Sequence, residues 1–337
     1  MRDVRDKVRR FLKDNAMYHD DIDMGACCDV FMEEMRGGLA GEDSSLAMIP
    51  TYIEVGKEIP AGRPVIVLDA GGTNFRVATV CFNESGNPVI ENFVQKPMPG
   101  LDKEADKEEF FRTIVNYMAD VVDSSSSVGF CFSYPTEILP SKDGRLIRFC
   151  KEVKAKQVEG ELIGQNLVAA VEAAGYKGER RVVILNDTVA TLLAGMSAFG
   201  KRAFDSYIGF ILGTGSNCCY VESNRNITKK DDLDPNKEQV VNVESGSFGK
   251  APRGTIDLQL DESTLDPGKY TFEKMFSGAY FGALAAKALQ QASREGLFSR
   301  TLADELIAAE YLQTKDINDF MRFPLGNNPL ATACAKG

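Results

Sequence analysis

Two stretches of this sequence are built on one plan. VIVLDAGGTNFRVATV (Val65–Val80) and IGFILGTGSNCCYVE (Ile208–Glu222) each run an apolar, strand-like segment into a short glycine-bearing turn and out through a second apolar segment. The turns lie roughly 140 residues apart, about the length of one domain, which predicts two related β-rich units, each presenting a glycine turn. A hairpin turn needs glycine and asparagine for its backbone angles. Asp69, Thr73 and Arg76 at the first turn and Thr214 at the second exceed that need. Two such turns facing one another can grip a single ligand from both sides.

Around these stretches helices and strands alternate. Val4, Val8, Phe11 and Leu12 fall at helical spacing in an amphipathic N-terminal segment, and helical signals continue to about Leu39, with a stop expected at Gly37-Gly38. Phe111, Ile114, Val115, Met118 and Val122 predict a helix, VGFCFSYP a buried strand, Asp143-Gly144 a turn and Leu146 to Ala155 an extended segment. GQNLVAAVEAAGY reads as a helix ending at Gly175, and the strand RVVIL passes through Asn186-Asp187-Thr188 into the helical run VATLLAGMSAFG. This order is that of an α/β fold with mixed sheets. A chain of 337 residues, 44% hydrophobic, is long enough for two domains with substantial cores.

Composition removes several function classes. A formal net charge of -10 repels polyanions, so a nucleic-acid or anionic-membrane partner is not expected and any phosphate site must be local. His19 is the only histidine, which removes Ser-His-Asp and Cys-His catalysis and multi-histidine metal centres and leaves a carboxylate as the expected general base. The eight cysteines show no CxxC spacing and several sit in apolar runs, a pattern expected of reduced thiols in the cytoplasm. The N-terminus lacks the apolar stretch of a signal peptide, and no run approaches the roughly 18 apolar residues of a membrane span.

The turns carry phosphate chemistry. Glycines let the backbone approach an anion, and successive N–H groups in a turn form an anion-binding nest. No GxxxxGK[ST] loop is present, and the GTG of Gly213–Gly215 is too short for a dinucleotide fingerprint. Asp69, two residues before Gly71, is placed to hold a hydrated magnesium ion accompanying a nucleotide. Asp187 stands where a strand ends and a helix begins, a ligand position in α/β proteins; Asp187 or Thr188 can also serve there as the helix N-cap.

The blocks LDAGGTNFRV, FSYP, LNDTVAT, IGFILGTGSN, VNVESGSFG and DPGKYTFEKMFSG, in this order, resemble those of hexokinases, as do MRGGL and SSLAMIPTYI. The resemblance runs from about residue 10 to 300. It implies the two-domain, ribonuclease-H-like fold of the actin and sugar-kinase group, with mixed β-sheets flanked by helices and a cleft closing on a sugar and ATP. Residues 1–58 would be N-terminal helices of the large domain, 59–187 the small domain with the first phosphate loop, and 188–337 the rest of the large domain, cut short at its C-terminus.

The same resemblance implies roles. Ser133, Lys151, Asn186, Asp187, Asn217, Glu244 and Glu273 would bind the sugar. Asp187 would be the base, with Lys151 and Arg76 offsetting charge on the transferring phosphoryl group. Asp69, Gly71, Gly72, Thr73, Asn74 and Arg76 would form one phosphate loop and Gly213, Thr214 and Gly215 the other, with Mg2+ held by Asp69 through water. The implied reaction is ATP-dependent phosphorylation of a hexose, D-glucose foremost, at the 6-hydroxyl, the entry step of glycolysis, by a monomer or homodimer. The alternative is a catalytically weak sugar-binding sensor. Two departures stand out: Cys150 precedes Lys151 where the family has threonine, and a thiol is a poorer donor to a sugar oxygen; SGSFG replaces WGAFG in a chain without tryptophan. The chain ends at LATACAKG, ahead of the family's glycine-containing adenosine segment, so the resemblance implies a fragment whose sheet is left with an open edge.

Overall fold

The computed structural model describes residues 2–55, 60–149, 153–199, 204–309 and 311–337. Helices α1 (Arg2–Asp14) and α2 (Met24–Ala40) and strand β1 (Ile49–Glu54) precede a meander of β2 (Val65–Ala70), β3 (Asn74–Phe82) and β4 (Pro88–Pro97). Then come α3 (Lys107–Tyr117), β5 (Ser127–Phe132), β6 (Thr136–Ile138), β7 (Gly144–Leu146), α4 (Ile163–Ala173), β8 (Arg181–Leu185) and α5 (Asp187–Phe199). Strands β9 (Ile208–Leu212), β10 (Ser216–Ser223) and β11 (Glu238–Asn242) lead to α6 (Thr255–Glu262), α7 (Glu273–Phe276), α8 (Phe281–Arg294), α9 (Arg300–Ala308), α10 (Thr314–Arg322) and α11 (Pro329–Lys336). Contacts gather these elements into a sheet unit, residues 48–210 and 218–243, and a helical unit, residues 1–47, 211–217 and 244–337.

The sheet unit holds a five-stranded mixed sheet in the order β4-β3-β2-β5-β8. The hairpin expected from the first glycine stretch is there, with Val65 opposite Val80 and Ala70 opposite Phe75. Parallel pairing of β2 with β5 sets Asp69 beside Cys131, and that of β5 with β8 sets Cys131 beside Leu185. The alternation of VIVLDA explains the register: Ile66, Leu68 and Ala70 turn into the core, where Phe110 and Ile114 of α3 and Ile163 and Leu167 of α4 cover them. The crossover from β5 to β8 contains α4, as parallel neighbours require. Strand β4 was not legible in the sequence. It starts and ends in proline and is exposed at nearly every position, the profile of an edge strand without an apolar alternation.

A second sheet has the order β1-β11-β10-β9, and Ile53, Cys219 and Val240 pack there against Val189 and Leu192 of α5. Strand β9 is an edge among the described residues, with Ile208, Phe210 and Leu212 exposed.

Three expectations meet corrections. Helix α2 does not stop at Gly37-Gly38 but continues to Ala40, because Gly38 and Leu39 are buried; the stop is Gly41, at φ 77° with its N–H donating to the Gly37 carbonyl. In α1 only the C-terminal half of the apolar stripe is packed: Phe11 sits among Ile256, Leu260 and Leu284, whereas Val4 and Val8 are exposed. The segment after Leu146 holds no further strand among its described residues.

Within the helical unit, the carboxylate of Glu34 is the staple between α2 and the loop after Phe248. Buried itself, it accepts from Ser45 N (2.8 Å) and Ser45 Oγ (2.6 Å) and pairs with Lys250 (2.7 Å), while Gly249 N donates to Ser45 Oγ (2.9 Å). Burial alone would raise its pKa; the hydrogen bonds from Lys250 and Ser45 outweigh it and hold the group down from 4.5 to about 2. A depressed carboxylate contributes stability that is fully present above its ordinary value and lost as pH falls through its folded value. Glu34→Gln therefore lowers unfolding free energy by about 2 kcal/mol near neutrality, and in urea titrations its stability falls less than the parent's between pH 5 and pH 2. Parallel pH profiles for the two proteins would refute this assignment.

Candidate active site

In the sheet unit the expected residues gather at the C-terminal ends of the parallel strands. Asp69 is the penultimate residue of β2, and its Oδ2 accepts from Arg76 Nη1 at 2.6 Å, so the first turn is closed by an ion pair across the hairpin. Gln95 of β4 accepts from Arg76 Nε (3.4 Å) and donates to Asn74 Oδ1 (3.0 Å), and Asn74 Nδ2 donates to Thr73 Oγ1 (3.1 Å). Backbone bonds brace the same turn: Gly71 N to Asn74 O (3.0 Å) and Met98 N to Thr73 O (3.0 Å). Ser133 follows β5, its N–H donating to the Ala70 carbonyl at 3.2 Å.

Asp187 opens α5, and Asn186 is the residue that caps it. Asn186 Oδ1 accepts from Thr188 N (2.9 Å) and Thr188 Oγ1 (2.5 Å), so neither Asp187 nor Thr188 has the capping role that the sequence left open to them. Asp187 Oδ1 also receives Thr188 N at 2.9 Å. A residue not singled out from the sequence joins Asp69 to Asp187. Cys131 lies opposite Asp69 in the parallel ladder with its Sγ 3.9 Å from Ser133 Oγ, and burial, followed by the negative charges of Asp69 and Asp187, pushes its thiol up. Cys131 looked like packing inside FCF; only the register of three strands reveals its neighbours.

In the helical unit the second glycine turn is backed by α7. Glu273 Oε2 accepts from Ser216 N at 2.7 Å, and a Cβ on Gly215 would lie 2.7 Å from that oxygen, so glycine is required for the carboxylate to approach. The turn's own carbonyls are satisfied: Gly213 O receives Gly278 N (2.7 Å) and Thr214 O receives Ala279 N (3.0 Å). Asn217 links the remaining expected residues, donating from Nδ2 to Glu244 Oε1 (3.2 Å) and accepting from Ser245 N (3.2 Å). Glu244 has φ 58°, left-handed backbone that costs a non-glycine residue about 1 kcal/mol or more and is concentrated at functional positions. The hydroxyls of Ser216 and Ser277 are buried and have no hydrogen-bond partner among the described residues.

Lys151 and Cys150 lie outside the described residues. Among the described residues no group of three or more His, Cys, Asp or Glu side chains is arranged to hold a metal ion, and no helix is long and apolar enough to cross a membrane.

Two family models described as hexokinase match in succession, over residues 7–197 and 207–324. A Spinacia oleracea protein named Hexokinase-1 is 33% identical over 86% of this chain and 61% of its own length. Hexokinase-1 of Pongo abelii is 31% identical over 86% of this chain and 32% of its own. The chain thus spans about a third of the length of its mammalian relatives. Among solved structures, the hexokinase from Schistosoma mansoni complexed with glucose superposes with a TM-score of 0.73 at 28% identity, covering 97% of this chain and 75% of that one.

Proposed function

The chain belongs to the hexokinase family, and from that premise we propose that it transfers the γ-phosphoryl group of ATP to the 6-hydroxyl of a hexose, D-glucose foremost. The observation that carries this reading is geometric: the Asp69–Arg76 ion pair across the first glycine turn and Asp187 at the start of α5 stand at the C-terminal ends of β2 and β8 in one sheet. The glucose bound to the schistosome relative supports the choice of sugar.

In the proposed reaction Asp187 takes the proton of the sugar hydroxyl as that oxygen attacks the γ-phosphorus. The bond to the bridging oxygen breaks, and its electron pair stays on ADP. Arg76, tied to Asp69, faces the growing phosphoryl charge together with Lys151. The cap leaves Asn186 only its Nδ2 to offer a sugar, so Asn186 is assigned a donor role. Asp187, Glu244 and Glu273 supply acceptors, with Ser133 and Asn217 completing the set. A sugar lacking one of these hydroxyls would strand a desolvated carboxylate at a cost of about 1–3 kcal/mol. Asp69, Gly71, Gly72, Thr73 and Asn74 are assigned to one set of phosphate oxygens and Gly213, Thr214 and Gly215 to the other.

The donor set fits magnesium only as a nucleotide-borne ion. Asp69 is a single carboxylate already paired with Arg76, suited to hold a water on such an ion rather than to cage it. When bound, magnesium neutralises phosphate charge. The division into a small domain of 59–187 and a large domain of 1–58 with 188–337 belongs to this reading, as do a cytoplasmic setting at the entry to glycolysis and a monomer or homodimer.

A coupled assay of ADP release with magnesium, ATP and a panel of hexoses tests the reading. Release that depends on a hexose, with hexose 6-phosphate as product, is expected. Equal release with and without sugar would sink the proposal, and sugar binding without turnover would replace it with the sensor.

A further inference from the structure

The peptide joining Gly71 to Gly72 is the least constrained piece of backbone in the first turn, since neither residue has a side chain to bias its rotation. Its carbonyl oxygen is nevertheless held. Tyr134, 3% exposed, donates from its hydroxyl to Gly71 O at 2.6 Å. The ring is itself fixed by Phe132 at 4.9 Å and by the edge-on Phe149 at 5.0 Å. Its own carbonyl is tied by Thr136 Oγ1 at 2.9 Å.

We propose that Tyr134 is a positioning residue for nucleotide phosphate, setting the direction of the Gly72 N–H by anchoring the Gly71 carbonyl. The two groups belong to one planar trans peptide and point opposite ways, so fixing the oxygen fixes the amide proton. An N–H aimed away from Tyr134 serves the phosphate nest of residues 71–74, whereas a flipped peptide presents a carbonyl and repels the anion. The hydroxyl is the part that matters: the ring belongs to the core, while the oxygen reaches from the end of β5 to the turn after β2. This rests on the hexose-kinase reading for the identity of the ligand, but the orientation of the peptide can be tested without it.

Tyr134→Phe removes one oxygen and preserves the ring packing. Calorimetric titration with MgADP is expected to show about a 5–10-fold weaker Kd, with the KM for MgATP raised by the same factor and the Kd for D-glucose unchanged. Hydrogen exchange at the Gly72 amide, followed by NMR, is expected to be faster in the variant. Thr136→Val, which removes the neighbouring hydrogen bond on the same segment, serves as the control for general loosening and is expected to leave the MgADP Kd within about two-fold. The proposal is overturned if Tyr134→Phe binds MgADP like the parent with Gly72 exchange unaltered, if sugar and nucleotide affinities fall together, or if Thr136→Val reproduces the effect. A parent protein that binds neither ADP nor glucose defeats the kinase reading instead; accelerated Gly72 exchange in Tyr134→Phe would then still support the anchoring of the peptide, and unaltered exchange would overturn it.

Discussion

Under the proposed function, replacing Asp187 by asparagine lowers kcat for hexose phosphorylation by about 10³-fold and leaves the Kd for the sugar within a few-fold of the parent. The size follows from the role: a positioned general base contributes about 10²–10⁴ in rate, and the chain's only histidine, His19, is exposed on an N-terminal single-turn helix rather than among these residues. The substitution keeps the shape. Asparagine Oδ1 still accepts the Thr188 N–H that Asp187 holds at 2.9 Å, and the helix start is secured independently by Asn186. Loss of turnover therefore reports the missing proton acceptor and not a frayed α5. Single-turnover kinetics with MgATP and glucose, beside calorimetric sugar binding, give the two quantities. A variant with kcat within ten-fold of the parent would remove Asp187 from the base position, and one whose loss lies in sugar binding rather than in turnover would leave it a sugar acceptor only.

What the sequence disclosed was local. Each glycine turn is flanked by its own strands, so hairpin, turn and polar residues could be read within a short window, and Asp187 could be placed because RVVIL ends at Leu185, two residues before it. What stayed hidden depends on pairing between distant segments. Asp69, Cys131 and Asp187 come together only through the parallel register of β2, β5 and β8, and no window contains all three. Tyr134 reads as one more aromatic at the end of a buried strand, because nothing local shows that its hydroxyl faces the Gly71 carbonyl. At the helix ends the difficulty was competition among nearby candidates. Gly41 caps α2 where Gly37-Gly38 looked stronger, because burial of Gly38 and Leu39 carries the helix past the pair. Asn186 caps α5 where Asp187 and Thr188 had equal standing, and its bonds to Thr188 decide the matter.

Lys274 was hidden for another reason: a lysine on a short helix reads as surface, yet its side chain is 2% exposed. Three acceptors use its three protons, Asp261 Oδ1 (2.7 Å), Thr264 Oγ1 (2.7 Å) and the Asp266 carbonyl (2.8 Å), and Asp266 Oδ1 lies at 3.2 Å. Burial favours the neutral amine, but Asp261 and Asp266 outweigh it and raise the group, so the ammonium persists across the neutral range. Asp261 is held in turn by Arg253 (3.1 Å) and by Gly268 N (3.0 Å). This network fixes α7, whose four residues cannot sustain a helix unaided, and α7 carries Glu273 to the Ser216 amide. Lys274→Met leaves the buried Asp261 carboxylate with Arg253 and Gly268 N alone and is expected to lower unfolding free energy by about 3 kcal/mol. Adding Asp261→Asn should recover part of that loss, since the double variant no longer buries an Asp261 charge that has lost its lysine. Under the proposed function the KM for glucose rises in Lys274→Met more than kcat falls, because Glu273 loses its frame while Asp187 keeps its own. Denaturant unfolding of the parent, the two single variants and the double variant decides the first point. A loss below about 1 kcal/mol for Lys274→Met, or strict additivity across the cycle, would mean that the network is not what holds α7 in place.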